Sequence, residues 1–494
     1  MSPQEPNKPP GSGQDPLVWL AGRSGHGIHA RVEQNLRILN GMGVRVCSKP
    51  KPAEPPAAIW VGALANAEEL RRLVGEIDQC RQIQPTLPVV VEVGLGASFV
   101  SQDPHGSLVH MLRTELLPRA TLAAFSRVDA AAMVGSAALT DKAMVEHAAH
   151  SLQAMGCSSI AIAGVDVAGP WHDDYIATHH AQGWLSAPHV GGFKPVRHGG
   201  LSTLAAAAAL AQGFVTAEAL ILAKMAATQA ARETEKATDD AGGLDSLGLS
   251  IHHLPGFSLP GRDHANGSGL AFAPLAQPAL GLYAVMDSAD WIERVLAAGV
   301  RTVQLRVKDA AQHHLRSEVR RSVAAARQYG AQLFINDHWQ LAMEEGAYGV
   351  HLGQEDLATA DLDTLARSGL RLGISTHAYW EVCRAWALRP SYIACGPIHA
   401  TNSKDMPWLP QGNNNLAYWS ALLPVPVVGI AGMNAERVAQ AAQCGAASAA
   451  VITAITAAES PEAAISQLQK AFAQGRAEPA LRPPRLARPT LRPG

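Results

Sequence analysis

Cysteine, aromatic side chains, charge and long apolar runs are all sparse in this chain of 494 residues. Six cysteines, at 47, 80, 157, 383, 395 and 444, form no C-x-x-C pair, which argues against a disulfide frame or a zinc site. The 40 basic residues nearly balance the 42 acidic ones, so no general attraction to nucleic acid or to an anionic membrane surface is expected. Only 17% of residues are charged and 47% are hydrophobic, the balance of an Ala-rich soluble protein. No apolar run reaches membrane-spanning length: the densest, Leu204 to Leu222, is broken by Gln212, Gly213, Thr216 and Glu218. Residues 1–16 lack the charged start and apolar core of a signal peptide, so a cytoplasmic protein is expected.

The length calls for more than one core. Residues 1–16 and 474–494 are Pro-rich tails, the second also rich in arginine, and both read as solvated ends. Residues 231–277 open with acidic side chains and continue through Gly and Pro, as a linker would. Two α/β regions remain. Residues 17–230 show strand-like runs at Leu17–Leu20, Ala58–Val61, Val89–Val93 and Ile160–Ile162. Residues 278–473 show eight, at Leu282–Met286, Thr302–Leu305, Gln332–Ile335, Gly349–Leu352, Arg371–Ile374, Tyr392–Ala394, Val425–Ile430 and Ala449–Ile452. Eight strands alternating with helices predict a parallel (β/α)8 TIM barrel, with its site at the C-terminal strand ends.

Polar clusters follow those strands. Gln304, Arg306 and Lys308 alternate at strand period and should face one way; such charges inside a barrel mouth call for an anion. An ordinary edge strand with solvated charges would read the same. Asn336, Asp337 and Asp356 end the next two strands. Either aspartate alone could cap a helix, whereas together, beside a basic cluster, they suit Mg2+. Ser375-Thr376-His377 offers hydroxyls and N–H groups to a phosphate, or simply makes an ST turn. Gly396 to Lys404 begins a long loop whose Thr401, Ser403 and Lys404 could meet a second anion. Ile430-Ala-Gly-Met433 and Val451-Ile-Thr453 end the last two strands, where barrels commonly cradle phosphate.

These motifs, in this order, resemble the thiamine-phosphate synthase family over about residues 279–465. The most specific are Gln304-Leu-Arg-Val-Lys308, Phe334-Ile-Asn-Asp337, Tyr348-Gly-Val-His-Leu-Gly-Gln-Glu-Asp356 and Leu372-Gly-Ile-Ser-Thr-His377. The resemblance implies a Mg2+-assisted transferase. It joins 4-amino-5-hydroxymethyl-2-methylpyrimidine diphosphate to a thiazole phosphate and releases pyrophosphate. It assigns Gln304, Arg306, Lys308, Asn336, Ser375 and Lys404 to the pyrimidine diphosphate, with Arg306, Lys308 and Lys404 catalytic. Thr401, Asn402, Ser403, Gly432, Ile452 and Thr453 would hold the thiazole phosphate, and Asp337 and Asp356 the metal. Two departures are Thr401-Asn-Ser-Lys404 for the usual Thr-x-Thr-Lys and Ala431-Gly432 for a Gly-Gly pair. Alternatives are a thiazole tautomerase-like paralogue or a non-enzymatic sensor of thiamine precursors. Partners are expected to be small phosphorylated molecules, not nucleic acid or membrane; a homo-oligomer is left open.

Residues 17–230 resemble the ribokinase-like hydroxymethylpyrimidine phosphate kinases at Ala21-Gly-Arg-Ser-Gly-His-Gly-Ile28, Leu116-Leu-Pro118, Phe125-Ser-Arg-Val-Asp129 and Arg197-His-Gly-Gly-Leu-Ser-Thr203. The family's Gly-Thr-Gly-Cys is replaced by Gly199-Gly-Leu-Ser202, and an acidic residue of the first glycine turn is absent. A retained fold without catalysis is the expectation, with an active kinase as the alternative. His172, His179 and His180 with Asp173 and Asp174 match no ligand spacing and read as a polar surface strand or loop.

Overall fold

Alternating strands and helices build both halves of the chain, but into two different sheets. The computed structural model describes residues 15–21, 36, 39–49, 54–62, 64, 66–95, 107–165, 171–189, 203–236, 250–261, 270–307, 312–401 and 407–492. Nine strands form the first sheet: β1 (Leu17–Ala21), β2 (Arg45–Cys47), β3 (Ala58–Val61), β4 (Val89–Val93), β5 (Leu122–Ser126), β6 (Ile160–Val165), β7 (Trp171–Ala177), β8 (Gln182–Pro188) and β9 (Gly256–Ser258). Their order is β2-β1-β3-β4-β5-β6-β7-β8-β9. Pairing is parallel through β6 and antiparallel from β6 to β9.

Four of these strands, β2, β5, β8 and β9, were not anticipated, and β7 was expected only as a polar surface strand or loop. Leu122–Ser126 is short and Ala-rich, so periodicity does not separate it from helix. In β7, polar side chains hide the strand. Asp173 and Asp174 are 1% and 0% exposed, which corrects the reading of a polar surface strand. Asp174 accepts from the Gly164 N–H at 2.9 Å and from Lys224 Nζ at 2.6 Å, and this buried ion pair explains how the charge is tolerated. The linker expected at 231–277 contains β9, and the helix Thr216–Lys236 runs into its start. The kinase-like motifs at 22–28 and 197–202 lie outside the described residues.

All eight strands expected in the second half are present. They are β10 (Gly281–Met286), β11 (Thr302–Leu305), β12 (Gln332–Asn336), β13 (Gly349–Leu352), β14 (Arg371–Thr376), β15 (Tyr392–Cys395), β16 (Val427–Ile430) and β17 (Ser448–Val451). They close into a parallel barrel in sequence order. Tyr283, Phe334 and Tyr392 fill its interior, with ring centroids 5.0 to 6.0 Å apart. Gly373 leaves the space they need, since a Cβ there would lie 2.1 Å from the Tyr392 ring.

The two sheets share buried apolar packing. Phe214 meets Tyr379 edge-on at 6.0 Å, and His180 lies 6.2 Å from Trp380. The C-terminal tail is no solvated end: Ala487, Thr490 and Leu491 are buried. Its backbone finds side-chain partners, as when Asn415 accepts from the Arg488 N–H and donates to the Arg488 carbonyl. No helix among the described residues is long and apolar enough to cross a membrane.

Candidate active site

The C-terminal ends of β11 to β14 bring most of the expected pyrimidine-diphosphate residues together. Asp337 follows β12 with φ 60, a left-handed conformation rare for a residue with a side chain. Its N–H donates to the His351 carbonyl at 2.9 Å, and its carboxylate accepts from Asn336 Nδ2 at 2.5 Å. Helix capping was the competing account of both aspartates, and no side-chain cap bond is made at His338 or Glu355, the residues preceding the next helices. Instead Asp337 and Asp356 meet. Burial first, and then the charge of Asp356 and a hydrogen bond with it, push the Asp337 carboxyl up to about 6 against the opposing pull of Arg306. Two carboxylates crowded in this way gain from a cation between them. Among the described residues no group of three His, Cys, Asp or Glu side chains forms a metal cage. Two carboxylates alone are compatible with the Mg2+ expected from the sequence, since Mg2+ takes few protein carboxylates and fills its remaining positions with water and phosphate oxygens.

The alternation expected through Lys308 stops early, because β11 ends at Leu305. Arg306 is held by its N–H to the Met286 carbonyl at 2.7 Å, and its charge reaches both Asp337 and His351. Gln304 is 4% exposed and points into the barrel. There it begins a chain of hydrogen bonds that sequence reasoning missed. Gln304 Nε2 lies 3.0 Å from the Tyr283 hydroxyl, which lies 2.8 Å from that of Tyr392. The Tyr392 hydroxyl is 2.7 Å from His351 Nδ1, and His351 Nε2 is 2.8 Å from Ser375 Oγ.

Donor chemistry orients this chain. An amide nitrogen only donates, so Tyr283 accepts from Gln304, and the orientation that leaves neither tyrosine hydrogen unplaced along the chain has Tyr283 donating to Tyr392. Tyr392 then donates to His351 Nδ1. Burial, with Arg306 second, pushes the His351 imidazole down to about 4, so the ring is neutral and its one hydrogen is on Nε2. That hydrogen goes to Ser375 Oγ, whose own hydrogen points to an acceptor other than His351. The signal in the sequence was slight: two tyrosines within apolar strands and a histidine at an inward position.

Of the expected thiazole-phosphate residues, Thr401, Gly432, Ile452 and Thr453 lie at the ends of β15 to β17. Ala431, where a glycine was expected, has φ 85, and Gly432 has φ 67. The methyl group of Ala431 thus sits in a conformation that favours glycine. A Cβ at Gly432 would lie 2.6 Å from the Ala400 carbonyl, so that turn packs beside Thr401. Arg437 Nη1 donates to the Gly432 carbonyl at 2.6 Å, and His399 donates its N–H to the Ala431 carbonyl at 3.3 Å. Ile452 precedes the short helix Thr453–Thr456 and packs on the barrel core, while Thr453 is exposed. Lys308, Asn402, Ser403 and Lys404 lie outside the described residues. His377 is spoken for: its N–H and Nδ1 meet Glu381 Oε2 at 2.6 and 2.8 Å, and its ring stacks on Trp408.

A closed parallel barrel with Arg306, paired carboxylates and polar turns at its C-terminal strand ends has its polar groups where (β/α)8 enzymes carry their active sites. Residues 282–455 match the sequence profile of thiamine monophosphate synthase, and residues 53–245 that of phosphomethylpyrimidine kinase. The thiamine-phosphate synthase of Pectobacterium atrosepticum is 53% identical over 169 residues, 34% of this chain and 79% of that one. That of Serratia proteamaculans is 51% identical over 167 residues, 34% of this chain and 79% of that one. Among solved structures, thiamine phosphate pyrophosphorylase from Pyrococcus furiosus is 25% identical and covers 40% of this chain and 98% of its own, with a TM-score of 0.37. The chain belongs to the thiamine-phosphate synthase family, and is a transferase carrying a kinase-like α/β domain ahead of its barrel.

Proposed function

We propose that the barrel joins 4-amino-5-hydroxymethyl-2-methylpyrimidine diphosphate to a thiazole phosphate, giving thiamine phosphate and pyrophosphate. The observation that carries this reading is the Asp337–Asp356 pair beside Arg306, at the strand ends next to the Gln304–Ser375 chain. Gln304, Asn336 and Ser375 hold the pyrimidine diphosphate. Arg306, with Lys308 and Lys404, offsets charge as it grows on the departing pyrophosphate. Asp337 and Asp356 hold Mg2+, which when bound supplies further charge stabilisation at the diphosphate oxygens.

The methylene–oxygen bond breaks with its electron pair leaving on pyrophosphate, and the aminopyrimidine ring shares the positive charge left on carbon. The thiazole nitrogen then attacks with its own lone pair, so no general base is required. Thr401, Asn402 and Ser403, with Gly432, Ile452 and Thr453, keep the thiazole phosphate in place for that attack. The buried chain from Gln304 to Ser375 keeps the pyrimidine side of the pocket ordered before either substrate arrives.

Purified protein supplied with both substrates and Mg2+ should release pyrophosphate, and Asp337→Ala should lower turnover by on the order of a thousandfold. Intact protein that forms no product would refute the reaction, and normal activity of Asp337→Ala would refute the metal role. We further infer that the N-terminal region keeps a kinase fold without its chemistry, because Gly199-Gly-Leu-Ser202 offers no Cys or carboxylate at the helix start. ATP-dependent phosphorylation of the pyrimidine monophosphate at ordinary enzymatic rates would overturn that.

A further inference from the structure

The C-terminal tail crosses from the barrel to the kinase-like domain, and on the way it touches the loop that follows β15. Thr490 is fully buried and sits at the crossing. Its N–H and hydroxyl both donate to Glu218 Oε1, at 3.1 and 2.6 Å, on the helix Thr216–Lys236 of the first domain. Its carbonyl accepts from the Leu409 N–H at 2.8 Å. Leu409 belongs to the returning limb of the loop, and two residues on, Gln411 fastens that limb to the outgoing one. Gln411 donates its N–H to the Pro397 carbonyl at 2.8 Å and its side-chain amide to the Gly396 carbonyl at 2.8 Å; Gly412 donates to the Ile398 carbonyl at 2.9 Å. The outgoing limb continues through His399 and Ala400, which pack on Gly432, to Thr401.

Further bonds keep the tail in place. Tyr379 donates to the Ala487 carbonyl at 3.2 Å, and Asn415 pairs with the Arg488 backbone in both directions. Glu218 itself is an unusual choice for a purely structural position. It is fully buried, and besides Thr490 the only backbone group among the described residues that reaches its carboxyl is the Val215 N–H, at the start of its own helix. A buried carboxyl so placed costs free energy that an apolar side chain would not, so a role in holding Thr490 accounts for it better than packing does.

We propose that Glu218 and Thr490 are positioning residues for thiazole-phosphate binding: the kinase-like domain acts on the barrel's reaction by holding the tail strap, which fixes the loop carrying Thr401. The kinase-like domain then has a function that needs no phosphoryl transfer. This inference rests on the assignment of Thr401 to the thiazole phosphate.

The test uses the full chain with Glu218→Leu, which fills the space without an acceptor, Glu218→Gln, which keeps one, and Thr490→Val. Glu218→Leu should raise KM for the thiazole phosphate about fivefold, and Thr490→Val about threefold, as loss of one or two buried hydrogen bonds predicts. KM for the pyrimidine diphosphate should rise by less than that for the thiazole phosphate, since of its assigned ligands Lys404 alone shares this loop, and Glu218→Gln should behave as wild type. A folded Glu218→Leu and Thr490→Val with unchanged thiazole-phosphate KM, or with a rise as large or larger for the pyrimidine diphosphate, would overturn the proposal. Amide exchange in the peptide 407–412 gives a reading without turnover. Protection should fall about tenfold in Glu218→Leu and in Thr490→Val. Unchanged protection counts against the strap, while a protein inactive with any substrate but showing this loss would refute the transferase reading alone. If Glu218→Leu does not fold, Thr490→Val decides both arms.

Discussion

Tyr392→Phe removes one oxygen from the centre of the barrel and should break the chain from Gln304 to Ser375 into two pieces. The hydroxyl lies 2.8 Å from Tyr283 and 2.7 Å from His351 Nδ1, and all three groups are buried. Without it the Tyr283 hydrogen has no acceptor along the chain and His351 Nδ1 has no donor. Each orphaned buried group costs roughly 1–3 kcal/mol, partly offset because the lost hydroxyl no longer needs desolvating, so a net loss of about 2 kcal/mol is expected. For a barrel of this size that lowers the thermal midpoint by roughly 4–8 °C. The ring still fills its place, so cavity formation adds little. Because Tyr392 also sets the tautomer, the effect should reach Ser375: kcat/KM for the pyrimidine diphosphate should fall about tenfold. Nitrogen-15 spectra of His351 check the mechanism directly. Wild type should show an unprotonated Nδ1 and a hydrogen on Nε2, and the variant a mixture of tautomers. A wild-type hydrogen on Nδ1, or a variant as stable as its parent, would refute the orientation derived above.

Two buried groups should give stability opposite dependences on pH. Burial raises Glu218 from 4.5 to about 7, so its contribution is complete below about pH 4.5 and is lost as the pH rises through 7. His351 falls from 6.5 to about 4, so its contribution is complete above about pH 6.5 and is lost as the pH falls through 4. Each spans about 3 kcal/mol, and Asp337, which burial and Asp356 raise to about 6, adds to the Glu218 trend. Relative to wild type, the urea midpoint should therefore rise with pH across this window in Glu218→Gln and fall in His351→Gln; parallel slopes would contradict the assignment. In the first domain, Lys224→Met strands the Asp174 charge and should cost about 3–5 kcal/mol in urea unfolding, with Lys224→Met/Asp174→Asn recovering much of it. Equal stability of Lys224→Met and wild type would show that the pair is not what keeps Asp174 buried.

The barrel was legible because its information is local. Each β/α unit repeats an apolar run, a polar strand end and an amphipathic helix, and all eight strands follow from that repeat with boundaries within a residue or two. The first sheet was less so, since β7 buries two aspartates and β9 lies within an apparent linker; both depend on partners distant in sequence. Asp337 and Asp356 were named from their positions after strands, but whether they capped helices or faced each other was a question of geometry.

Residue order and spacing alone determined the barrel, the family it belongs to and the polar groups at its mouth, because period and strand-end chemistry are written along the chain. Tertiary structure decided what those groups do to one another. It joined Gln304 to Ser375 through two tyrosines and a histidine drawn from three other strands. It also turned a Pro/Arg-rich tail into a strap whose Thr490 binds Glu218, 272 positions away in sequence, and the loop after β15. Such contacts leave no periodic trace, since a hydrogen bond between remote residues is specified only by the fold that closes the distance.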